Sequence, residues 1–250
     1  MSALPLLAIH NSWQKKRAKM LIPDNFPLAI MEIYSPEWYQ NNLTLHRIIS
    51  QFNLFEGNAE LDLVGMARSL KNCKYTKDLE IIKFNLKTPP SSVVIRKRGS
   101  VSLFTFDRHE NQSSDVVNEE LVNVGKNVYQ LISEANTPGK DSDDEATERS
   151  LKFINFRVTT MLFVLKCVHS LHLIKLNEQL KTCIMLKCLD VLYEPEINVA
   201  ITVKDSIYNC KCGIYASGKI CISTKTKKAA EYTTSLLSPV LWKCRLNPSA

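Results

Sequence analysis

Ile95-Arg96-Lys97-Arg98-Gly99 and Ile214-Tyr215-Ala216-Ser217-Gly218 stand 119 positions apart. Each closes an apolar run on a glycine that leads straight into a second apolar run. Two such runs joined through a glycine turn read as a hairpin. Upstream, Tyr75 and Tyr193 are 118 positions apart, so a single one-residue gap aligns all three landmarks. A hairpin recurring at one spacing predicts an internal duplication.

Working outward, both halves carry the same order of patterns. In the first, Leu45–Leu54 reads as a strand and Leu61–Leu70 as a short helix, with Leu63, Met66, Ala67 and Leu70 on one face. Apolar strands follow at Glu80–Leu86, Ser92–Lys97 and Val101–Phe106. A helix then starts at its cap, Ser113-Ser114-Asp115. Its stripe is Val117, Leu121, Val124, Val128 and Leu131, the spacing of a buried helical face. In the second half, Arg157–Lys166 reads as a strand and Leu173–Leu189 as a helical region. Strands follow at Val199–Lys204, Tyr208–Ala216 and Lys219–Thr224, and a last helix at Lys227–Lys243, which Pro239 should kink or interrupt. Strands followed by a terminal helix, twice over, predict an α+β fold with helices on one sheet face and the other face free.

The 250 residues are 45% hydrophobic and 23% charged, enough for a sizeable core. No apolar run reaches the ~18–20 residues of a membrane helix, and the start, MSALPLLAIHNSW, lacks the basic region of a secretory signal. The 8 cysteines read as reduced thiols in a chain without an export signal. There is no Gly-x-Gly-x-x-Gly and no phosphate loop, so no nucleotide cofactor and no enzymatic motif is indicated. The formal charge of +7 is uneven: residues 151–250 hold 14 basic against 6 acidic side chains, residues 43–135 hold 12 against 11. A basic half fits a polyanion or an acidic partner, and it equally fits a solvated lysine surface. The boundaries expected are an extension at 1–42, repeats at 43–135 and 151–246, an acidic linker at 136–150 around Asp141-Ser142-Asp143-Asp144-Glu145, and a tail at 247–250. Within the extension, Lys15-Lys16-Arg17-Ala18-Lys19 has the composition of a nuclear import signal.

Several segments resemble the TATA-box-binding protein (TBP) family, most closely its TBP-related factors. Tyr193-Glu194-Pro195-Glu196-Ile197 is similar to the family's YEPEL segment, and Ala216-Ser217-Gly218-Lys219-Ile220 to its VSGKV turn. His46 through Leu54 resembles QNIVSTVNL, Asn72-Cys73-Lys74-Tyr75 resembles NAEY, and Ser92 through Val101 resembles TALIFSSGKM. Asn155-Phe156-Arg157-Val158 and Ser238-Pro239-Val240-Leu241 are similar to the opening of the second repeat and to the last helix.

The resemblance implies an α+β saddle, two pseudo-symmetric repeats forming one curved antiparallel sheet with helices on the convex face. In such proteins the concave face grips the DNA minor groove and four phenylalanines wedge between base steps. The kink of about 80° that results is a property of that family's DNA complexes. Here the wedge positions fall on Glu80 (or Leu79), Arg96, Asn198 and Tyr215. The groove-reading asparagines fall on Arg47 and Thr160, and their apolar partners on Ile49 and Leu162. Later-strand positions fall on Val94, Ser102, Gly213 and Cys221. None of the four wedges is Phe, which points away from TATA-specific kinking toward weak, salt-sensitive DNA contact or none. The charge distribution predicts a lopsided grip, with residues 151–250 supplying more of it. Tyr193, Glu194, Pro195, Glu196 and Ile197 resemble the stirrup that binds transcription factor IIB; transcription factor IIA is a second candidate partner. The role implied is a nuclear, non-enzymatic initiation factor. The alternative is an interaction module that competes for TBP partners without binding DNA.

Other clusters are weaker. Cys167, His169 and His172 lie close in sequence, and Cys210 and Cys212 share a strand face, but Cys-x-Cys is not the usual zinc-pair spacing. Arg96-Lys97-Arg98-Gly99 fits a second import signal, a phosphate clamp or a solvated turn.

Overall fold

The computed structural model describes residues 42–57, 59–106, 114–136, 151–183, 186 and 189–246, with side chains of the second helix from residue 119 onward. The basic cluster at 15–19 and the acidic stretch at 141–148 lie outside the described residues. The elements are β1 (Thr44–Asn53), α1 (Leu63–Ser69), β2 (Lys74–Thr76), β3 (Ile81–Lys87), β4 (Pro90–Arg96), β5 (Ser100–Thr105), α2 (Ser114–Ala135), β6 (Ile154–Lys166), α3 (Leu173–Thr182), β7 (Leu189–Leu192), β8 (Ala200–Asp205), β9 (Cys210–Tyr215), β10 (Lys219–Thr224) and α4 (Lys227–Lys243). Strands hydrogen-bond in the order β2-β3-β4-β5-β1-β6-β10-β9-β8-β7. Two compact units divide within β6: the described residues of 45–162, and those of 163–246 together with 42–44.

In the N-terminal unit, alternation along each strand sends one set of side chains under α1 and α2. Phe52, Ile82, Phe84, Val93, Ile95, Val101 and Leu103 form this core with Leu63, Met66, Val124, Val128 and Ile132. Phe52 is fully buried, worth about 1.5–3 kcal/mol for a side chain of this size, and its ring sits 4.7 Å from that of Phe153. Phe153 and Phe156 both pack into this core because Asn155 takes a left-handed φ of 57° and breaks the alternation between them. Asp62 caps α1, its carboxylate accepting from the amides of Val64 and Gly65.

The C-terminal unit repeats the plan. Ile201, Val203, Cys212, Ile214, Ile220 and Ile222 are buried, as are Leu173, Leu176 and Leu180 of α3 and Leu237, Val240 and Leu241 of α4. His172 caps α3 by accepting from the Lys175 amide. Each unit ties its hairpin in the same way. Gly99 and Gly218 adopt φ of 74° and 79°. Leu54 N–H donates to the Gly99 carbonyl at 2.9 Å and Cys167 N–H to the Gly218 carbonyl at 2.9 Å. Leu61 N–H donates to Lys97 carbonyl and Leu171 N–H to Ala216 carbonyl. The same hairpin braces therefore recur in the two units.

Differences from the sequence reading have local causes. The α2 stripe ends on Ile132, fully buried, whereas Leu131 is exposed. A strict 3.5-residue spacing drifts off a helix of 3.6 residues per turn, and by the fourth turn the inward position has moved on by one. Within Leu173–Leu189 the α-helix ends at Thr182; Cys183 is extended, Leu186 has 3₁₀ conformation and Leu189 opens β7. Pro239 does not interrupt α4. It has no N–H for the Ser235 carbonyl, and the Ser238 hydroxyl donates to that oxygen at 3.1 Å instead.

Candidate nucleic-acid interface

The face of each unit away from the helices is the candidate surface. In the N-terminal unit it collects Arg47, Ile49 and Gln51 of β1, Ser102 and Phe104 of β5, Ser92, Val94 and Arg96 of β4, and Ile81, Lys83 and Asn85 of β3. Register fixes the neighbours: Ile49 opposes Phe104, Gln51 opposes Ser102, Val94 lies between Ser102 and Lys83, and Arg96 opposes Ile81. Arg96 donates to the Ser102 hydroxyl at 2.8 Å, and Gln51 donates to the Ser100 hydroxyl. The Arg47 guanidinium lies 4.6 Å from the centroid of the Phe106 ring.

In the C-terminal unit the open face carries Gly213 between Thr202 and Cys221, Tyr215 opposite Ala200, and Lys211 between Lys204 and Ser223. The Tyr215 ring leans over Gly213, where a β-carbon would lie 3.7 Å from it. Phe163 and Leu165 of β6 are buried under the helices, so alternation gives Leu162, and Thr160 two residues earlier, the open phase.

Two wedge positions sit in loops. Glu80 is exposed in the turn ahead of β3, with a left-handed φ of 47°. Lys97 Nζ holds its carboxylate at 3.0 Å and that of Glu60 at 3.0 Å. These carboxylates, Glu80 first, raise the Lys97 ammonium above its ordinary range. Asn198 is exposed ahead of β8, and its side-chain oxygen accepts from the Ala200 amide at 3.2 Å. Beside these two lie the aliphatics Leu79, 64% exposed, and Ile197 and Val199, 82% and 77% exposed. The Tyr193–Ile197 loop is fixed by the amides of Ile197 and Asn198, which both donate to the Glu194 carbonyl at 3.0 and 2.7 Å. Glu194, Pro195 and Glu196 are exposed on it.

Charge on the faces does not follow charge in the sequence. Open-face positions of β1–β5 carry Arg47, Lys74, Lys83, Lys87 and Arg96 and no carboxylate; those of β7–β10 and the end of β6 carry Lys166, Lys204, Lys211 and Lys219, with Asp190 4.0 Å from Lys204. Among the described residues, the acids of 43–135 lie in loops, turns and helices. Phe104, Phe106, Lys83 and Lys211 join the surface without having been expected there. The signal for the two rings lies in the alternation of Val101, Leu103 and Thr105 with Ser102, Phe104 and Phe106.

Among the described residues no group of three or more His, Cys, Asp and Glu side chains is arranged to hold a metal ion. His172 is spent as a helix cap, and His169 sits edge-on to Trp242 at 5.6 Å. Burial pushes the Cys167 thiol up to about 11. The Cys210–Cys212 contact and burial hold the Cys212 thiol far above its ordinary range.

No family model matches the sequence, and no curated protein matches it. Among solved structures, Methanococcus jannaschii TBP is similar, at 14% identity and a TM-score of 0.52, over 81% of this chain and 99% of that one. The likeness shows the fold alone: α+β and TBP-like, two repeats built on antiparallel strands with helices on one face.

Proposed function

We propose that this protein is a TBP-like transcription factor, nuclear and non-enzymatic, that nucleates an initiation complex mainly through protein contacts. The repeats are residues 43–135 and 151–246. The observation that carries the reading is the exposed loop Tyr193–Ile197 on a TBP-like fold, its backbone fixed by two hydrogen bonds to Glu194. Glu194 and Glu196 beside a rigid proline offer a fixed acidic patch to a basic partner; transcription factor IIB is the partner assigned, with transcription factor IIA as a second.

DNA is contacted weakly and without TATA specificity. The contact residues are Arg47, Ile49, Val94, Arg96, Ser102, Thr160, Leu162, Gly213, Tyr215 and Cys221, with Glu80 and Asn198 at the loop tips. Glu196→Arg tests the stirrup: pull-down of transcription factor IIB is lost while circular dichroism is unchanged, and intact pull-down overturns the assignment.

A second reading, an interaction module that competes for TBP partners without touching DNA, is favoured by Glu80 and Asn198. Their polar groups are already engaged by Lys97 and the Ala200 amide. Binding to TATA, random and A·T-rich duplexes over a salt series separates the two readings. A DNA binder loses affinity steeply with salt, whereas the module binds none of the three even at low salt.

A further inference from the structure

We infer that the open face of the N-terminal unit is a stacking platform for a single-stranded polynucleotide, centred on Phe104, Phe106 and Arg47. Phe104 lies in β5 and Phe106 just past its end, where its amide still donates to the Pro90 carbonyl at 3.3 Å; in extended backbone the two share a face about 6.6–6.8 Å apart. At that separation each ring serves its own base. Phe106 is 39% exposed, and the Arg47 guanidinium stacks on it at 4.6 Å. Among the described residues, no carboxylate at an open-face position of β1–β5 neutralises that guanidinium. Arginine planes and phenyl rings are both surfaces on which unpaired bases stack.

The surroundings complete such a site. Lys83, Lys87, Lys74 and Arg96 line the same face for a phosphate backbone. Lys74 and Lys83 lie directly opposite one another, an arrangement that costs stability unless an anion bridges it. Asn85 and Ser92, paired across β3 and β4, offer donors and acceptors to base edges. A duplex hides its base faces within the stack, and reaching them requires wedges at the loop tips, where this chain has Glu80 and Asn198. An unpaired strand presents those faces freely. The site is independent of the stirrup, and it shares Arg47 and Arg96 with the proposed duplex contact.

The test is fluorescence anisotropy on the full chain with labelled dT20, U20, a 20-base-pair A·T-rich duplex and a polyglutamate peptide, for wild type, Phe106→Ala and Phe106→Tyr. Phe106→Ala is expected to weaken strand binding roughly 5- to 150-fold and duplex binding much less, only through the lost support of Arg47. Phe106→Tyr, which keeps a ring, should stay within about twofold of wild type. The dT20 and U20 arms tell whether the natural strand is DNA, RNA or either. Three results overturn the inference: no binding of either strand, indifference to Phe106→Ala, or an equal Phe106 dependence for the duplex or the acidic peptide.

Discussion

The carbonyl oxygen of His169 occupies the place that a β-carbon on Gly218 would take. Cys167 Cβ is 3.1 Å from the same point. At Gly99, the matching hairpin, the obstacle is the ring of Phe55, 2.6 Å away. Both glycines have positive φ, which costs an L-residue roughly 1–2 kcal/mol. A half-buried ring can swing aside; a backbone carbonyl in a braced loop cannot. Gly99→Ala should therefore lose about 1–2 kcal/mol, and Gly218→Ala about 2–5 kcal/mol once overpacking is added. Urea denaturation of the two variants checks the order, and an equal or reversed loss contradicts it.

Ser238 is buried and supplies the hydrogen bond that Pro239 withholds from Ser235. Ser238→Ala should destabilise by about 0.5–1.5 kcal/mol. Coupling it to Pro239→Ala, which restores the amide donor, should shrink that loss to near zero. A double-mutant cycle followed by thermal unfolding reads the coupling; strict additivity would show that Ser238 matters for packing only.

His169 is held below the ordinary histidine range, first by burial and then by the charge of Arg245. Arg245 itself stacks on Trp242 at 3.7 Å. A depressed folded value means that the unfolded chain binds the proton first. Stability from this group is fully present above about pH 6.5, the unfolded value, and is lost as pH falls from there toward the folded value. Denaturation midpoints should drop as pH falls below about 6.5, and His169→Phe should flatten that drop. A variant with an unchanged pH dependence would move the effect elsewhere.

Cys221 is half-buried on the open face, opposite Gly213, while Cys167, Cys210, Cys212 and Cys244 are buried. Maleimide labelling of the native protein should reach Cys221, Cys183 and Cys73 and spare those four thiols. A ligand seated on the C-terminal open face should slow Cys221 and leave Cys73 unchanged, read by peptide mass spectrometry. Equal protection at both positions would mean that the ligand does not sit there.

The features legible in the sequence are those with a steric requirement behind them. Gly99 and Gly218 announce their hairpins because the left-handed turn accepts almost nothing else. The longer strands and α4 can be read to within a few residues because their periodicity runs over several turns or alternations. β2 and β7 leave no such trace, since Lys74–Thr76 and Leu189–Leu192 offer only three and four residues in which to alternate. The aromatic content of the open face is harder to see: Phe104 and Phe106 look like core in an apolar run, and only their alternation with buried Val101, Leu103 and Thr105 marks them as facing outward. Exposure of Leu79, Ile197 and Val199 likewise depends on loop geometry that no local pattern encodes.

The braces around Gly99 and Gly218 are made by main-chain atoms, and so is most of what closes each unit's hairpin. Side chains pointing away from the helices take little part in them. Such a frame lets inheritance rewrite its outward vocabulary without forfeiting its shape. Phe104, Phe106 and their neighbours on that face can therefore be exchanged for other side chains while the hairpins stay closed. The frame sets where the surface lies, and the chemistry of that surface is written separately.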